Sequence, residues 1–152
     1  MPSTHQLYRT VTALPAGRFL FSQLYRRKAP YFNSAKLSVT AMEKHRGEVI
    51  VPKKRGTLNH IGTVHAIAAC NGLEAAMGLL AEATCPPGHR WLPKGMDVEY
   101  LAKSESDLVC TATTTEADWA QAPDVPVTVT ATRDDGTVTV RGTIRLWVTP
   151  KK

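Results

Sequence analysis

The sequence predicts an α+β fold in which a six-stranded antiparallel sheet wraps around one long central helix. An apolar run from Thr63 to about Ala83 has almost no polar face, and such a helix must be buried on most sides. Strand-like segments lie on both sides of it, and short turns between them favour antiparallel pairing. A chain of 152 residues can bury one core of this kind. We therefore expect a single domain over residues 1–152.

The first predicted element is a helical segment over about residues 5–29. Its apolar residues recur at helical spacing: Leu7, Val11, Leu14, then Phe19, Leu20 and Leu24. Pro15-Ala16-Gly17 predicts a break within it, and Arg26-Arg27-Lys28 bring cations to its C-terminal end, where the helix dipole favours them. A basic amphipathic helix can lie on a membrane surface, but packing of this stripe against the domain's own core is the favoured interpretation.

The strands follow from alternation of apolar and polar residues and from the turns between them. Leu37, Val39 and Ala41 alternate with polar residues before a turn at 45–47, and a polar loop leads from Lys53 to His60. Asp134-Asp135-Gly136 predicts a tight hairpin turn. The predicted strands are 35–44 and 48–54 before the long helix and, after it, a meander of 91–102, 107–116, 124–133 and 137–148.

The composition of the chain limits the classes of binding partner that can be expected. The net charge of +6 indicates an anionic partner, and since no nucleic-acid-binding motif is visible, a phosphorylated small molecule is as plausible from charge as a polynucleotide. The motif at the long helix, described below, favours the small molecule, and no nucleic-acid partner is expected. The three cysteines are far apart and include no CxxC pair, which argues against disulfides and zinc. We see neither a signal peptide nor an apolar run of transmembrane length, and we expect a cytoplasmic protein without stable membrane insertion.

Polar residues gather where the long helix begins. Asn59, Gly62 and His65 precede Glu74, which lies nine residues further on in otherwise apolar surroundings. Polar groups there cost free energy unless they are satisfied or used. Each has a structural alternative: Asn59 satisfying loop backbone, His65 as an interface residue, and Glu74 in a salt bridge. Thr63 is the expected N-cap of the helix.

Helical spacing separates two of these residues. Nine residues turn a helix by roughly 180° and advance it by about 13–14 Å. His65 and Glu74 therefore cannot line one small pocket within one chain. If both act in catalysis, His65 comes from one subunit and Glu74 from the other, and a two-fold axis generates two equivalent sites. The spacing then predicts a homodimer.

The motif Asn59-x-x-Gly62-Thr63-x-His65, with Glu74 nine positions on, resembles the signature of PaaI-like hotdog-fold thioesterases. Within that superfamily the chain also resembles the DUF4442 branch. The segments that carry this second resemblance are Gly56-x-x-Asn59-His60-x-Gly62-Thr63-x-His65-Ala66, Ala75-Ala76-Met77-Gly78, Lys28-Ala29-Pro30-Tyr31-Phe32 and Lys94-Gly95-Met96-x-x-x-Tyr100. The resemblance implies a hotdog fold, hydrolysis of an acyl-CoA or acyl-carrier thioester, and sites at the interface of a homodimer or of a tetramer built from dimers.

Thioester hydrolysis gives each residue a role. The Ala66 N–H, at the positive end of the helix, suits the developing oxyanion, and His65 or Asn59 would orient the carbonyl or the water. Glu74 would act as general base or as nucleophile. No metal site is expected from His60, His65 and Glu74, because their spacing matches no usual ligand set.

Further residues are candidates for contact with the substrate. They are Gly62, Thr63 and Asn71 near the helix and Lys94 and Arg133, whose cations could bind the phosphates of coenzyme A. Coenzyme A enters as part of the substrate, and no separate cofactor is expected.

The chain departs from the PaaI-like pattern in two positions. Ala66 stands where those enzymes usually carry glycine, and the acid is Glu74 rather than aspartate. These departures keep two alternatives open. One is a non-catalytic protein that binds acyl groups or acyl-CoA. The other is a hotdog dehydratase that acts on 3-hydroxyacyl thioesters.

Overall fold

A computed structural model of the chain describes residues 3–151. Residues 1, 2 and 152, which the predicted domain includes, lie outside the described residues. One six-stranded antiparallel sheet wraps around one long helix, which confirms the predicted α+β class. The helices are α1 (Thr4–Thr12), α2 (Gly17–Lys28), α3 (Ala66–Thr84) and a short α4 (Glu116–Trp119). The strands are β1 (Ser38–Glu43), β2 (Arg46–Val51), β3 (His89–Tyr100), β4 (Leu108–Thr113), β5 (Asp124–Thr132) and β6 (Val138–Pro150).

Helix α3 forms the centre of the core. Its Ala69, Leu73, Ala76 and Leu80 have no exposed surface, and the small side chains among them allow the sheet to approach closely. By length and composition alone this helix could cross a membrane, which the sequence analysis overlooked. In the fold, 61% of its most apolar window is buried, as expected for a helix that packs inside a sheet.

Close contact between β2 and α3 depends on Gly47. A Cβ atom at this position would lie 2.0 Å from the backbone oxygen of Ala76. We expect Gly47→Ala to lower the free energy of unfolding by about 1–3 kcal/mol, because the strand or the helix must move. Urea denaturation measures the change. Gly56→Ala is the matched control, since its added methyl meets nothing within 4 Å, and its effect should stay within about 0.5 kcal/mol. Equal stability of the two variants would contradict this interpretation.

The order of the strands differs from the predicted meander. The sheet runs β1-β2-β4-β5-β6-β3, so β4 lies beside β2 and β3 crosses to the far edge beside β6. The difference in burial between β4 and β3 explains their positions in the sheet. Strand β4 places Leu108, Cys110 and Ala112 against the core with no exposed surface, whereas most of β3 is exposed. Strand β3 therefore occupies an edge, with one side free of any strand of the described chain.

The turns largely follow the prediction. The hairpin between β5 and β6 is closed by the Arg133 N–H, which donates to the Thr137 oxygen at 2.9 Å, and Gly136 has a φ of 85°. The turn between β1 and β2 is one residue earlier than predicted, and His45 takes a φ of 64° there. The second strand ends at Val51, before Pro52, whose missing N–H cannot continue the ladder.

The N-terminal segment breaks between α1 and α2, as predicted. The prediction that the apolar stripe packs against the core holds for Val11 but is wrong for its other residues. Aromatic side chains face the core instead: Tyr8 packs edge-on against Phe21 at 5.0 Å, and Phe21 stacks with Tyr25 at 6.4 Å. These rings bury more area than leucine, and the Tyr25 hydroxyl donates to the Ala75 oxygen of α3 at 3.4 Å. The members of the predicted stripe that are left exposed are Leu7, Leu14, Phe19, Leu20 and Leu24.

Candidate active site

The Asn59 side chain closes the turn that precedes α3. Its Oδ1 accepts hydrogen bonds from the N–H groups of Ile61 and Thr63, both at 3.1 Å, and its Nδ2 donates to Thr63 Oγ1 at 2.8 Å. Gly62 has a φ of 80°, which glycine adopts without a steric penalty. These contacts match the structural alternative for Asn59. The Asn59 side chain thus shapes the turn that also contains Gly62 and Thr63, and its role in catalysis stays a prediction.

Helix α3 begins at Ala66, three residues later than predicted, and its N-cap is His65. The prediction of Thr63 as N-cap was wrong because that hydroxyl is engaged by Asn59. The His65 Nδ1 accepts a hydrogen bond at 3.0 Å from the backbone N–H two residues on. Since Nδ1 acts as the acceptor, the neutral ring carries its proton on Nε2.

Two hydrogen-bond donors are available where α3 begins. The Ala66 N–H, the first of the helix, has no acceptor in the part of the chain that the structure describes. The exposed His65 ring offers its Nε2–H. His65 lines a cavity of about 210 Å³, where the helix dipole adds partial positive charge. This end of α3 can stabilise a negatively charged oxygen.

Glu74 lies in the middle of α3 and is half-buried. Within residues 3–151 its carboxylate forms no ion pair, so the salt bridge considered from the sequence is not made inside one chain. Burial raises the pKa of the neighbouring Tyr25 hydroxyl, and the charges of Glu74 and Glu82 raise that pKa further. Tyr25 therefore stays protonated, and its hydroxyl adds no negative charge beside Glu74.

An apolar cavity of about 370 Å³ adjoins Glu74. It lies between the N-terminal helices, α3 and the start of β3. The residues that give it its apolar character are Tyr25, Ala29, Phe32, Met77, Gly78, Trp91, Leu92 and Pro93. Tyr25 and Phe32 stack at 5.8 Å and form one continuous wall. Glu74 also lines a smaller cavity of about 290 Å³ beside Lys94 and Met96, so the carboxylate lies where the two spaces meet.

His65 and Glu74 face different cavities, as the helical spacing predicts. The cavity beside His65 shares no lining residue with either cavity beside Glu74. Asn71, a predicted contact of the substrate, lines the cavity beside His65 and neither of the cavities beside Glu74. Within one chain the acid and the oxyanion donors stay apart.

The two cations considered for coenzyme A have partners within the chain. Lys94 pairs with Asp124 at 2.7 Å and lies 4.5 Å from the centre of the Trp147 ring. Arg133 pairs with Glu105 at 2.7 Å and with Asp135 in the β5–β6 turn. These ion pairs give Arg133 a structural role, and its contact with the substrate stays a prediction. Lys94 stays a candidate because it lines a cavity with Glu74.

The wall opposite Glu74 was not predicted from the sequence. Tyr25 lies in α2, Phe32 follows that helix, and Trp91 lies in β3. One signal was available: Phe21 and Tyr25 are four residues apart and share a helix face. That spacing could have identified the aromatic side of α2 but not its contact with α3.

A six-stranded antiparallel sheet wrapped around one long central helix defines the hotdog class of proteins. Residues 17–148 match the family model described as "Domain of unknown function (DUF4442)". The chain belongs to the DUF4442 family. The resemblance to this branch of the hotdog thioesterase superfamily, predicted from the sequence, is thereby confirmed.

Solved structures show the same fold. A crystal structure from a structural-genomics programme is 38% identical, and the match covers 97% of this chain and 99% of that one with a TM-score of 0.86. A probable thioesterase of unknown function from Pseudomonas aeruginosa is 18% identical over 91% and 97% of the two chains, with a TM-score of 0.74. A thioesterase from Haemophilus influenzae is 12% identical over 79% and 82%, with a TM-score of 0.69. No curated protein matches the chain.

Proposed function

We propose that the protein hydrolyses acyl-CoA thioesters at composite sites across a homodimer. The observation that carries this proposal is Glu74, a half-buried carboxylate without a partner in the described chain, at the junction of two cavities. A carboxylate held in this way is a suitable base for water. The thioesterase names of the structural relatives agree with the proposal, and their low identity supports the fold alone.

In the proposed reaction, Glu74 of one subunit takes a proton from water while the water oxygen attacks the thioester carbonyl. The carbonyl oxygen becomes an oxyanion and accepts hydrogen bonds from the partner's Ala66 N–H and the partner's His65 Nε2–H. Collapse of the intermediate breaks the carbon–sulfur bond, and the leaving thiolate takes the proton from Glu74. The products are a carboxylic acid and coenzyme A. Attack by Glu74 itself, through a transient anhydride that water then cleaves, is the alternative.

The edge strand β3 supports the dimer in this proposal. One side of β3 has no strand beside it in the described chain, and exposed edges pair readily with a second strand. Inward-facing residues of β3 are also uncovered: Tyr100 is 57% exposed and Met96 37% exposed. Tyr100 contacts Cys70 of α3, with oxygen and sulfur 3.8 Å apart. A second copy related by a two-fold axis would cover these groups and bring its own helix to the same edge.

The cavity beside Glu74 suits the acyl chain in this proposal. Its apolar wall favours methylene groups over the polar amides of the pantetheine arm, and a volume of about 370 Å³ lies near the lower end of the range for ligand pockets. We therefore expect a straight acyl chain of medium length to be preferred over a bulky ring system.

A substitution at Gly78 tests this assignment of the cavity. A Cβ atom at Gly78 would lie 3.5 Å from Trp91 and 3.7 Å from the Tyr25 hydroxyl, which is ordinary contact. Gly78→Leu should therefore fill the cavity without disturbing the helix. We expect kcat/KM for decanoyl-CoA to fall by about fifteenfold relative to butyryl-CoA, because the leucine side chain takes the room of about two methylene groups of the acyl chain and each buried methylene contributes about fourfold. Trp91→Leu enlarges the same cavity and should shift the preference to longer chains. Equal loss for all chain lengths would instead assign the cavity to the pantetheine arm.

Activity itself is tested with a panel of acyl-CoA esters from acetyl to palmitoyl and an aryl ester, with detection of the released thiol. Turnover of at least one ester is expected. Stabilisation by acyl-CoA against heat without any turnover would favour the non-catalytic binding protein, for which Ala66 in place of glycine is the specific observation. Formation of an enoyl product from a 3-hydroxyacyl-CoA would identify a dehydratase.

A further inference from the structure

The net charge of the chain is concentrated in its N-terminal part. Residues 3–42 contain six arginine and lysine residues and no aspartate or glutamate, while the remaining residues carry both signs in equal number. Among the ion pairs of the described chain, none involves a cation of this segment. The whole net charge of +6 therefore lies on one structural unit and is not neutralised there.

The same unit exposes an apolar surface. We define the N-terminal patch as Leu7, Leu14, Phe19, Leu20 and Leu24 of α1, α2 and their connection. Phe19 is 62% exposed and Leu14 57% exposed, although the sequence pattern alone assigned both to the core. A groove of about 480 Å³ runs between the two helices and is lined by Leu14, Leu20, Leu24 and the cation Arg27. Leucine and phenylalanine clustered in this way usually mark an interaction surface.

Folding does not explain this patch, because the opposite face of the helices already supplies the core contacts. Tyr8 and Phe21 are buried, and Tyr25 reaches the backbone of α3. Both helices therefore have two apolar faces, one packed against the core and one exposed. An apolar face with cations and without acids is the pattern of helices that lie in the interface of an anionic membrane.

We propose that the N-terminal patch docks the protein on the surface of an anionic lipid bilayer. Phe19, Leu20 and Leu24 would enter the boundary between headgroups and acyl chains, while Arg27, which lines the groove, would bind a lipid phosphate. Charge complementarity selects this occupant: a second copy of the chain would bring the same cation and the same acid-free segment to the contact and would be repelled. The inner face of the same helices lines the cavity beside Glu74, so a docked molecule would hold that cavity close to the bilayer.

Co-sedimentation with vesicles tests the proposal on the full chain. The wild-type protein should bind vesicles of phosphatidylcholine with phosphatidylglycerol and should not bind phosphatidylcholine alone, and binding should weaken as salt is added. Arg27→Gln should reduce the affinity by about fivefold. Arg145→Gln, on the outer face of β6, is the control of equal charge and should change affinity much less.

The apolar part of the patch is tested separately. Phe19→Ser with Leu20→Ser should reduce vesicle binding by about tenfold, while Val138→Ser, a substitution of another exposed apolar residue on β6, should not. Thermal unfolding of each variant confirms that it is folded. Equal binding to neutral vesicles, or equal loss in the control variants, would overturn the proposal. A smaller particle mass of Phe19→Ser with Leu20→Ser in light scattering would overturn it too, because the patch would then join copies of the chain.

Discussion

Replacement of Glu74 by glutamine is expected to lower kcat by about 10²–10⁴-fold, because the amide cannot take the proton from the attacking water. The substitution keeps the size of the side chain, and the half-buried carboxylate has no ion-pair partner within the described chain that its removal would leave uncompensated. KM should therefore change little. Steady-state kinetics with the best ester of the panel measures both constants.

Glu74→Asp is the matched control for this prediction. It keeps the carboxylate but withdraws it by one methylene, so activity should be reduced and still exceed that of the glutamine variant. If Glu74→Gln retained full activity, Glu74 would not be the base and the proposed mechanism would fail. A single turnover in heavy-oxygen water tests the nucleophile role. Label in the Glu74 side chain would indicate an anhydride that water cleaves at the Glu74 carbonyl, whereas label in the released acid alone is the result expected when water attacks the acyl carbon.

Mixing two inactive proteins is expected to restore activity. His65→Asp keeps an acceptor for the helix cap but removes the Nε2–H donor, and loss of one oxyanion donor costs about 10²–10³ in rate. In a dimer formed from one His65→Asp chain and one Glu74→Gln chain, one site carries both changes and the other carries neither. An equal mixture, unfolded and refolded together, should reach about one quarter of wild-type activity, since half of the dimers are mixed and each has one intact site.

The control is each variant refolded alone, which should stay inactive. Failure of the mixture to exceed these controls, with mixed dimers shown to form, would mean that His65 and Glu74 do not act together across an interface. Restoration would be difficult to explain by any site within one chain, because the two residues line cavities without a common residue. The experiment therefore tests the composite site independently of the identity of the acyl group.

The main helices, strands and turns could be predicted from the sequence because the signals for them are local. The apolar run of α3 and the Asp134-Asp135-Gly136 turn depend on neighbours a few residues apart, and both were found close to their predicted positions. The separation of His65 from Glu74 followed from helix geometry alone. The N-cap was wrong because two polar residues, Thr63 and His65, were both able to cap, and the choice depended on a hydrogen bond from Asn59.

The features that only the tertiary structure determined depend on contacts between segments that are far apart in the chain. The place of β3 at the sheet edge, the ion pairs that occupy Arg133 and the aromatic wall facing Glu74 all join residues far apart in the chain. The N-terminal helices illustrate the reason. Their sequence carries two apolar faces, and periodicity cannot tell which one meets the core; the larger buried area of Tyr8, Phe21 and Tyr25 decided it. The sequence by itself determined that an acid lies on a buried helix, and only the fold determined which surfaces surround it.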